Sequence, residues 1–199
     1  MIPTTQSEHR RIRLSLIYFV LMAFCFPIGV LLHECGHFVA SKLFGWETTF
    51  HAASVGWAHS STPPAWSIIV FLLAGIVFDI CFVCTGLFLL ARHAGTASRH
   101  RTSVHLVATL LASYSIRWAI APVFVLLNLS DEAQISALLG FNRWMLPICT
   151  LPIGIGVAAA VVLSHIRSRT VTPLMAGAFG AFCGLGAWVN LVGPALFGK

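Results

Sequence analysis

Long apolar stretches alternate with short polar or charged segments along this chain. The apolar stretches can be drawn over residues 14–36, 65–91, 104–128, 145–165 and 174–197. Each is about as long as the ~20 residues that a helix needs to cross a bilayer. The pattern therefore predicts an all-α polytopic membrane protein with about five transmembrane helices.

One connection, over about residues 46–64, is long enough to hold structure of its own, at 46–62. Polar and apolar residues alternate weakly between Thr48 and Gly56, which is the period of a half-buried strand. We expect a short membrane-associated β-hairpin here. Its two histidines, His51 and His59, are expected to be interfacial side chains rather than metal ligands.

Composition agrees with a membrane protein, because 58% of the residues are hydrophobic and only 9% are charged. The spans leave no room for a separate soluble domain. We therefore expect one transmembrane domain over residues 1–199, with a core at 14–145 and additional helices at 145–197. The first span follows a basic segment, as a signal peptide does, but it is long and is expected to be retained.

The distribution of basic residues predicts the orientation of the protein in the membrane. Eight of the twelve basic residues fall in the N-terminal segment and in the 92–103 and 166–173 loops, and the opposite side holds Lys42, Arg143 and Lys199. The positive-inside rule then places the N-terminus in the cytoplasm. The formal charge of +6 thus reflects membrane topology, and no nucleic-acid partner is expected.

Three ionisable residues stand near the end of the first apolar stretch, in the sequence LLHECGHFVA. On a helix, His33 and His37 lie one turn apart on the same face and can share a metal ion. Glu34 is adjacent to the first histidine, so it can act as a general base without being a ligand. Placing an acidic side chain within an apolar transmembrane helix costs up to about 2.5–3.5 kcal/mol. We therefore expect Glu34 to have a function or a partner.

These residues resemble the first motif of the site-2-protease-like intramembrane zinc metalloproteases. In that family HExxH is followed by Ala three residues on and by a Gly that ends the helix, as in His33, Glu34, His37, Ala40 and Gly45. The resemblance extends over about residues 20–145. It implies one zinc ion per chain and cleavage of peptide bonds in membrane proteins.

Two further motifs of the family are matched in part. The Gly-Pro-x-x-Asn motif is similar to Gly75–Asp79, where Ile76 replaces Pro and Asp79 replaces Asn. The last motif, whose Asp is the third zinc ligand, is similar to the segment 128–132, and the resemblance therefore points to Asp131.

The depth of each acid gives an independent argument for the third ligand. With straight helices, His33 lies ~28 Å and Asp79 ~18 Å from the N-terminal face, at 1.5 Å per residue. Asp131 follows the third span and is expected on the same side as the histidines. We therefore favour Asp131, and Asp79, Glu132, Glu47 or a further histidine remain alternatives.

Asp79 has another expected partner, because Arg117 in the third span lies at a similar depth. A buried charge in hydrocarbon is usually paired, so an Asp79–Arg117 ion pair is one expectation. The alternative is that one of the two lines an aqueous cavity leading to the metal.

The predicted function is therefore that of a membrane-embedded zinc metalloendopeptidase, with Glu34 as general base, a membrane protein as substrate and the lipid bilayer as surroundings. Well-known members of the family carry the metal toward the cytosolic side, whereas the charge pattern here places His33 near the opposite face. Two other classes remain open. One is a non-proteolytic metal-binding membrane protein, and the other is a protein that moves ions or protons through its buried charges.

Overall fold

The computed structural model describes residues 5–51, 53–58, 63–93 and 101–197. His59 lies outside these ranges. In chain order the elements are α1 (Thr5–Leu43), β1 (Glu47–His51), β2 (Ser54–Ala58), α2 (Ala65–His93), α3 (Arg101–Ser113), α4 (Ile116–Ala119), α5 (Ala121–Leu126), α6 (Asp131–Leu138), α7 (Met145–Arg167), α8 (Val171–Ala187), a π-helical turn (Trp188–Val192) and α9 (Gly193–Phe197). The prediction of an all-α protein with one small hairpin is confirmed.

Four helical segments are long and apolar enough to cross a membrane. They are Glu8–Leu43, Ala65–Arg92, Met145–Arg167 and Val171–Phe197. These agree with the first, second, fourth and fifth predicted spans. The protein is therefore a membrane protein with several candidate spans.

The third predicted span, 104–128, is not one continuous helix. It consists of α3, α4 and α5, which are separated by a turn at Tyr114–Ser115 and by Ile120. Pro122 stands at the start of α5 and has no backbone N–H to continue a preceding helix. The prediction of a single helix here was wrong, because hydropathy measures how apolar a segment is and not whether its helix is unbroken.

Two contacts identify the opposite ends of the helical assembly. At one end the Arg11 guanidinium donates to the Thr172 hydroxyl, so α1 and α8 begin side by side. At the other end the ring of Phe50 in β1 lies 5.5 Å from the ring of Phe197 in α9. The chain therefore begins at one end, and its hairpin and last helix meet at the other.

Helix α8 packs on α1 through a row of glycines. A Cβ atom at Gly180 would overlap the carbonyl of Phe19, one at Gly184 would overlap the carbonyl of Ala23, and Gly177 lies against side chains of the same two turns of α1. Small residues let two helices approach closely in a membrane, where packing rather than hydrophobic burial drives their association. This row explains why α8 lies along α1.

Helices α1 and α2 also meet at a small residue. A Cβ atom at Gly36 would lie 2.6 Å from the carbonyl oxygen of Ala74, so no side chain fits there. Because α1 and α2 are antiparallel, the residues that precede Gly36 in α1 lie beside the residues that follow Ala74 in α2. This contact sets which residues of α2 stand level with the histidines of α1.

The predicted hairpin at 46–62 is present. Strands β1 and β2 pair antiparallel with Thr49 opposite Gly56. The ring of Trp57 in β2 packs at 4.7 Å against the ring of Phe71 in α2, and Val55 is buried in the same apolar cluster. The hairpin therefore rests on the end of α2 beside the histidines.

Candidate metal centre

Three side chains converge at the level of the HExxH segment. The Nε2 atoms of His33 and His37 are 3.0 Å apart, and Asp131 Oδ2 lies 3.0 Å from Nε2 of His33 and 3.4 Å from Nε2 of His37. All three residues are strongly shielded, with the Asp131 side chain 13% exposed and the two histidine side chains 2% and 5% exposed. The structure thus brings together the three residues predicted as metal ligands, and this group could hold a metal ion.

The triangle formed by these atoms has the size that a small divalent ion requires. Zinc binds imidazole nitrogen and carboxylate oxygen at about 2.0–2.2 Å with tetrahedral geometry, so two ligand atoms around it stand about 3.3–3.6 Å apart. The observed separations of 3.0–3.4 Å are close to that value. An ion would fit with shifts of a few tenths of an ångström.

The opposite nitrogen of each histidine has its own acceptor. Nδ1 of His37 lies 2.7 Å from the carbonyl oxygen of Phe71, and Nδ1 of His33 lies 3.0 Å from Asp79 Oδ2. We assign the proton of each ring to Nδ1, because only an N–H can satisfy these acceptors. Both Nε2 atoms then present lone pairs to each other and to a carboxylate, an arrangement that a cation between them would stabilise.

Asp131 reaches the histidines through a tight turn between α5 and α6. Asn128 adopts a left-handed backbone with φ of 58°, and its side-chain oxygen accepts a hydrogen bond of 2.8 Å from Arg143. Ser130 then caps α6 by accepting from the backbone N–H of Ala133 at 3.2 Å. This cap places Asp131 at the first position of α6, beside α1.

Asp79 and Arg117 form the expected ion pair, with Oδ2 and Nη1 3.1 Å apart. The second guanidinium nitrogen of Arg117 lies 3.7 Å from Asp131 Oδ2. One arginine therefore links the carboxylate behind His33 to the carboxylate of the candidate ligand. The three charges partly neutralise each other, which is the usual condition for keeping them out of water.

The expectation that Asp79 lies about 10 Å short of His33 was wrong, since their side chains are in hydrogen-bond contact. The depth count assumed straight helices that enter the membrane at one plane. The antiparallel contact between Gly36 and Ala74 instead brings Asp79 level with His33. Asp79 still lies outside the ligand group, because it contacts Nδ1 of His33, whereas the ligand group forms around Nε2.

Two of the other acids that remained open as third ligands lie elsewhere. Glu132 accepts a hydrogen bond of 2.9 Å from Ser130, and Glu47 is exposed in the hairpin. Within the part of the chain that the structure describes, the one group of histidine, cysteine and acidic side chains close enough to share a metal is His33, His37 and Asp131.

Glu34 is buried, with 8% of its surface exposed. Among the described residues it makes no side-chain hydrogen bond or ion pair, although it directly follows His33 in α1. A carboxylate that is close to a metal group and is not engaged by it has the arrangement expected of a general base.

Two contacts to the histidines were not predicted from the sequence. A Cβ atom at Gly75 would lie 2.6 Å from both imidazole rings, so only glycine fits against them. The partial motif at Gly75–Asp79 was the available signal for this contact. The carbonyl of Phe71 that orients His37 could not be predicted from the sequence, because every residue has a backbone carbonyl. The Phe71 ring also stacks on the His37 ring at 4.7 Å.

Comparisons with protein-family models, with curated proteins and with solved structures find no match to this chain. The assignment of the site therefore rests on its own geometry. Resemblance to the site-2-protease-like family stays a prediction from the motifs.

Proposed function

We propose that this protein is a membrane-embedded zinc metalloendopeptidase similar to the site-2-protease-like family, which hydrolyses peptide bonds of membrane-embedded or membrane-adjacent proteins. One observation supports the proposal above the others. Two imidazole Nε2 atoms and a carboxylate oxygen converge within 3.0–3.4 Å of one another, and each imidazole has its other nitrogen held by an acceptor. Pre-oriented ligands of this kind are typical of catalytic zinc sites.

The donor set favours zinc among the common metals. Two imidazoles and one carboxylate make up the three protein ligands found in many zinc hydrolases, which leave one position for water or substrate. When bound, zinc supplies Lewis-acid chemistry by acidifying water and polarising the carbonyl of the scissile peptide. Softer metals would call for thiolates, and the cysteines of this chain do not belong to the ligand group.

Glu34 is proposed as the general base. It is buried beside the ligands without a hydrogen bond to any described side chain, so its carboxylate oxygens are available to take a proton from water. The same side chain can return that proton to the amine that leaves when the peptide bond breaks. Arg117 and Asp79 hold His33 in the orientation that directs Nε2 to the metal.

The hairpin is suited to hold a substrate. Trp57 of β2 packs on Phe71, which itself stacks on His37, so two aromatic rings connect the small sheet to the metal group. An extended peptide can add to a free strand edge through backbone hydrogen bonds. This would hold a substrate unwound, as cleavage of its backbone requires.

Metal analysis of variants tests the site. We expect about one zinc per chain in the wild-type protein and in Glu34→Gln, and loss of zinc in His33→Ala and His37→Ala. His51→Ala is the matched control, because His51 lies in β1 outside the ligand group. A protein that binds no zinc, or keeps it in both ligand variants, would overturn the metal site.

Cleavage is tested by labelling new protein N-termini in membranes that contain the wild-type protein or Glu34→Gln at equal levels. We expect fragments that depend on Glu34 and that persist in Glu132→Gln, where a buried acid outside the ligand group is changed in the same way. Zinc binding with identical fragments in both membranes would argue for a metal protein that is not a peptidase.

A second candidate function is supported by the buried chain of charges. Asp79, His33, Arg117 and Asp131 form a continuous set of contacts of 3.0–3.7 Å, and linked ionisable groups within a membrane often form proton paths. Proton flux into vesicles that contain zinc-free protein, abolished by Asp79→Asn, would favour this function over hydrolysis.

A further inference from the structure

A cavity lies at the end of the assembly opposite to the metal centre. It has a volume of about 340 Å³ and is lined by Arg10 of α1, Arg167 at the end of α7, and Arg169 and Thr170 in the turn before α8. Cavities of about 300–1,000 Å³ are typical of small-molecule sites. Three guanidinium groups contributed by separate elements thus line one small space.

No aspartate or glutamate pairs with these arginines. Every aspartate and glutamate of the chain lies within the described residues, and none is within 4.0 Å of the guanidinium nitrogens of Arg10, Arg167 or Arg169. The nearest acid in sequence, Glu8, lines a neighbouring groove with Arg11 instead. The cavity therefore has an excess of positive charge that an anion can compensate.

The turn between α7 and α8 holds one of the arginines in an unusual conformation. Arg169 has a φ of 56°, in the left-handed region that glycine normally occupies after the end of a helix. Hydrogen bonds fix this turn, since the N–H of Thr170 donates to the His165 carbonyl at 2.9 Å. The turn therefore fixes the backbone that carries the Arg169 side chain into the lining of the cavity.

Tyr18, which lines the cavity, is held by a buried histidine. His165 is fully buried, and its Nδ1 donates to the Val161 carbonyl at 2.9 Å. Its Nε2 then accepts from the Tyr18 hydroxyl at 3.3 Å. Ser168 and Thr170 place two hydroxyls, 2.7 Å apart, beside the arginines. The exposed arginines thus share the cavity with hydroxyl groups that can also donate to an anion.

From these features we propose that the cavity binds a phosphate group, carried by an anionic membrane lipid or by a soluble phosphate. Guanidinium groups bind phosphate oxygens through paired, charge-assisted hydrogen bonds. The cavity also lies where the candidate spans of α1, α7 and α8 begin or end, which is the level of lipid headgroups. Basic pockets between helices at this level bind anionic headgroups in other membrane proteins.

Native mass spectrometry of the full chain tests the proposal. The protein in a neutral detergent is titrated with phosphatidylglycerol and, separately, with phosphatidylcholine of the same acyl chains, and inorganic phosphate forms a third arm. We expect saturable binding of phosphatidylglycerol over phosphatidylcholine. Binding of inorganic phosphate without lipid preference would support the same pocket with a soluble ligand. The absence of binding in every arm would overturn the proposal.

Paired variants separate the cavity from the general positive field. In Arg167→Gln/Arg169→Gln we expect affinity to fall about 100-fold, because each charge-assisted hydrogen bond lost weakens binding about tenfold or more. Arg13→Gln/Arg92→Gln removes the same charge from residues that do not line the cavity, and its affinity should change less than threefold. An equal loss in both pairs would show that only the surface field acts. Elution profile and thermal midpoint establish that both variants are folded, and Arg167→Lys/Arg169→Lys, which keeps the charge, should recover most of the affinity.

Discussion

Replacing Asp131 by Asn tests which acid completes the metal centre. The change keeps the size of the side chain but removes the negative charge that lies 3.0 and 3.4 Å from the two histidine nitrogens. Sites with four protein ligands bind zinc with about 10–16 kcal/mol, so one ligand accounts for about 2.5–4 kcal/mol, or roughly 10²- to 10³-fold in affinity. Because an amide oxygen remains near the metal, we expect a loss of about 100-fold.

The fold should survive this change. Arg117 is 3.7 Å from Asp131 but 3.1 Å from Asp79, so it keeps its closer partner and no buried charge is left alone. A neutral amide is also easier to bury than a carboxylate. A loss of zinc in Asp131→Asn would therefore report on the site and not on unfolding.

Glu132→Gln is the matched control, since it changes the next residue of the same helix. Glu132 is also buried, but its carboxylate is held by Ser130 at 2.9 Å, and we expect zinc affinity to change less than threefold. Affinity is measured by competition with a chromophoric chelator, and zinc content by mass spectrometry. Retention of zinc in Asp131→Asn together with its loss in Glu132→Gln would refute the reasoning and make Glu132 the ligand.

Three other outcomes are expected. Asp79→Leu should weaken zinc binding about 10- to 100-fold, because outer partners of metal-binding histidines have effects of that size; an unchanged affinity would mean that the contact with His33 is dispensable. Gly75→Ala should destabilise the protein by about 1–3 kcal/mol and release zinc, since its Cβ would lie 2.6 Å from both histidine rings. Gly156→Ala faces open space and should leave thermal unfolding and zinc content nearly unchanged, so similar losses in both would contradict a steric cause. Reporter fusions should place the N-terminus in the cytoplasm and residues 129–144 on the opposite side, and a cytosolic signal from 129–144 would reverse the orientation.

Local patterns predicted those parts of the protein that depend on neighbouring residues. The spacing of His33 and His37 places both rings on one face of any helix, and the structure brings their Nε2 atoms 3.0 Å apart. Alternation predicted the hairpin for the same reason, because side chains of a strand alternate between its faces. Hydropathy predicted four of the spans, but it could not detect the turn at Tyr114–Ser115 that divides the third.

Contacts between distant segments were decided only by the tertiary structure. Asp79 was expected to lie about 10 Å from the level of His33, yet the close approach of Gly36 to Ala74 brings the two side chains together. Sequence reasoning favoured Asp131 but left other acids open, because its position depends on a left-handed turn at Asn128 and on the packing of α6. Helix periodicity acts over a few residues, whereas the register between two packed helices depends on which small residues meet across them. The sequence by itself therefore determined that the two histidines and Glu34 lie together on one helix, and the fold determined their partners.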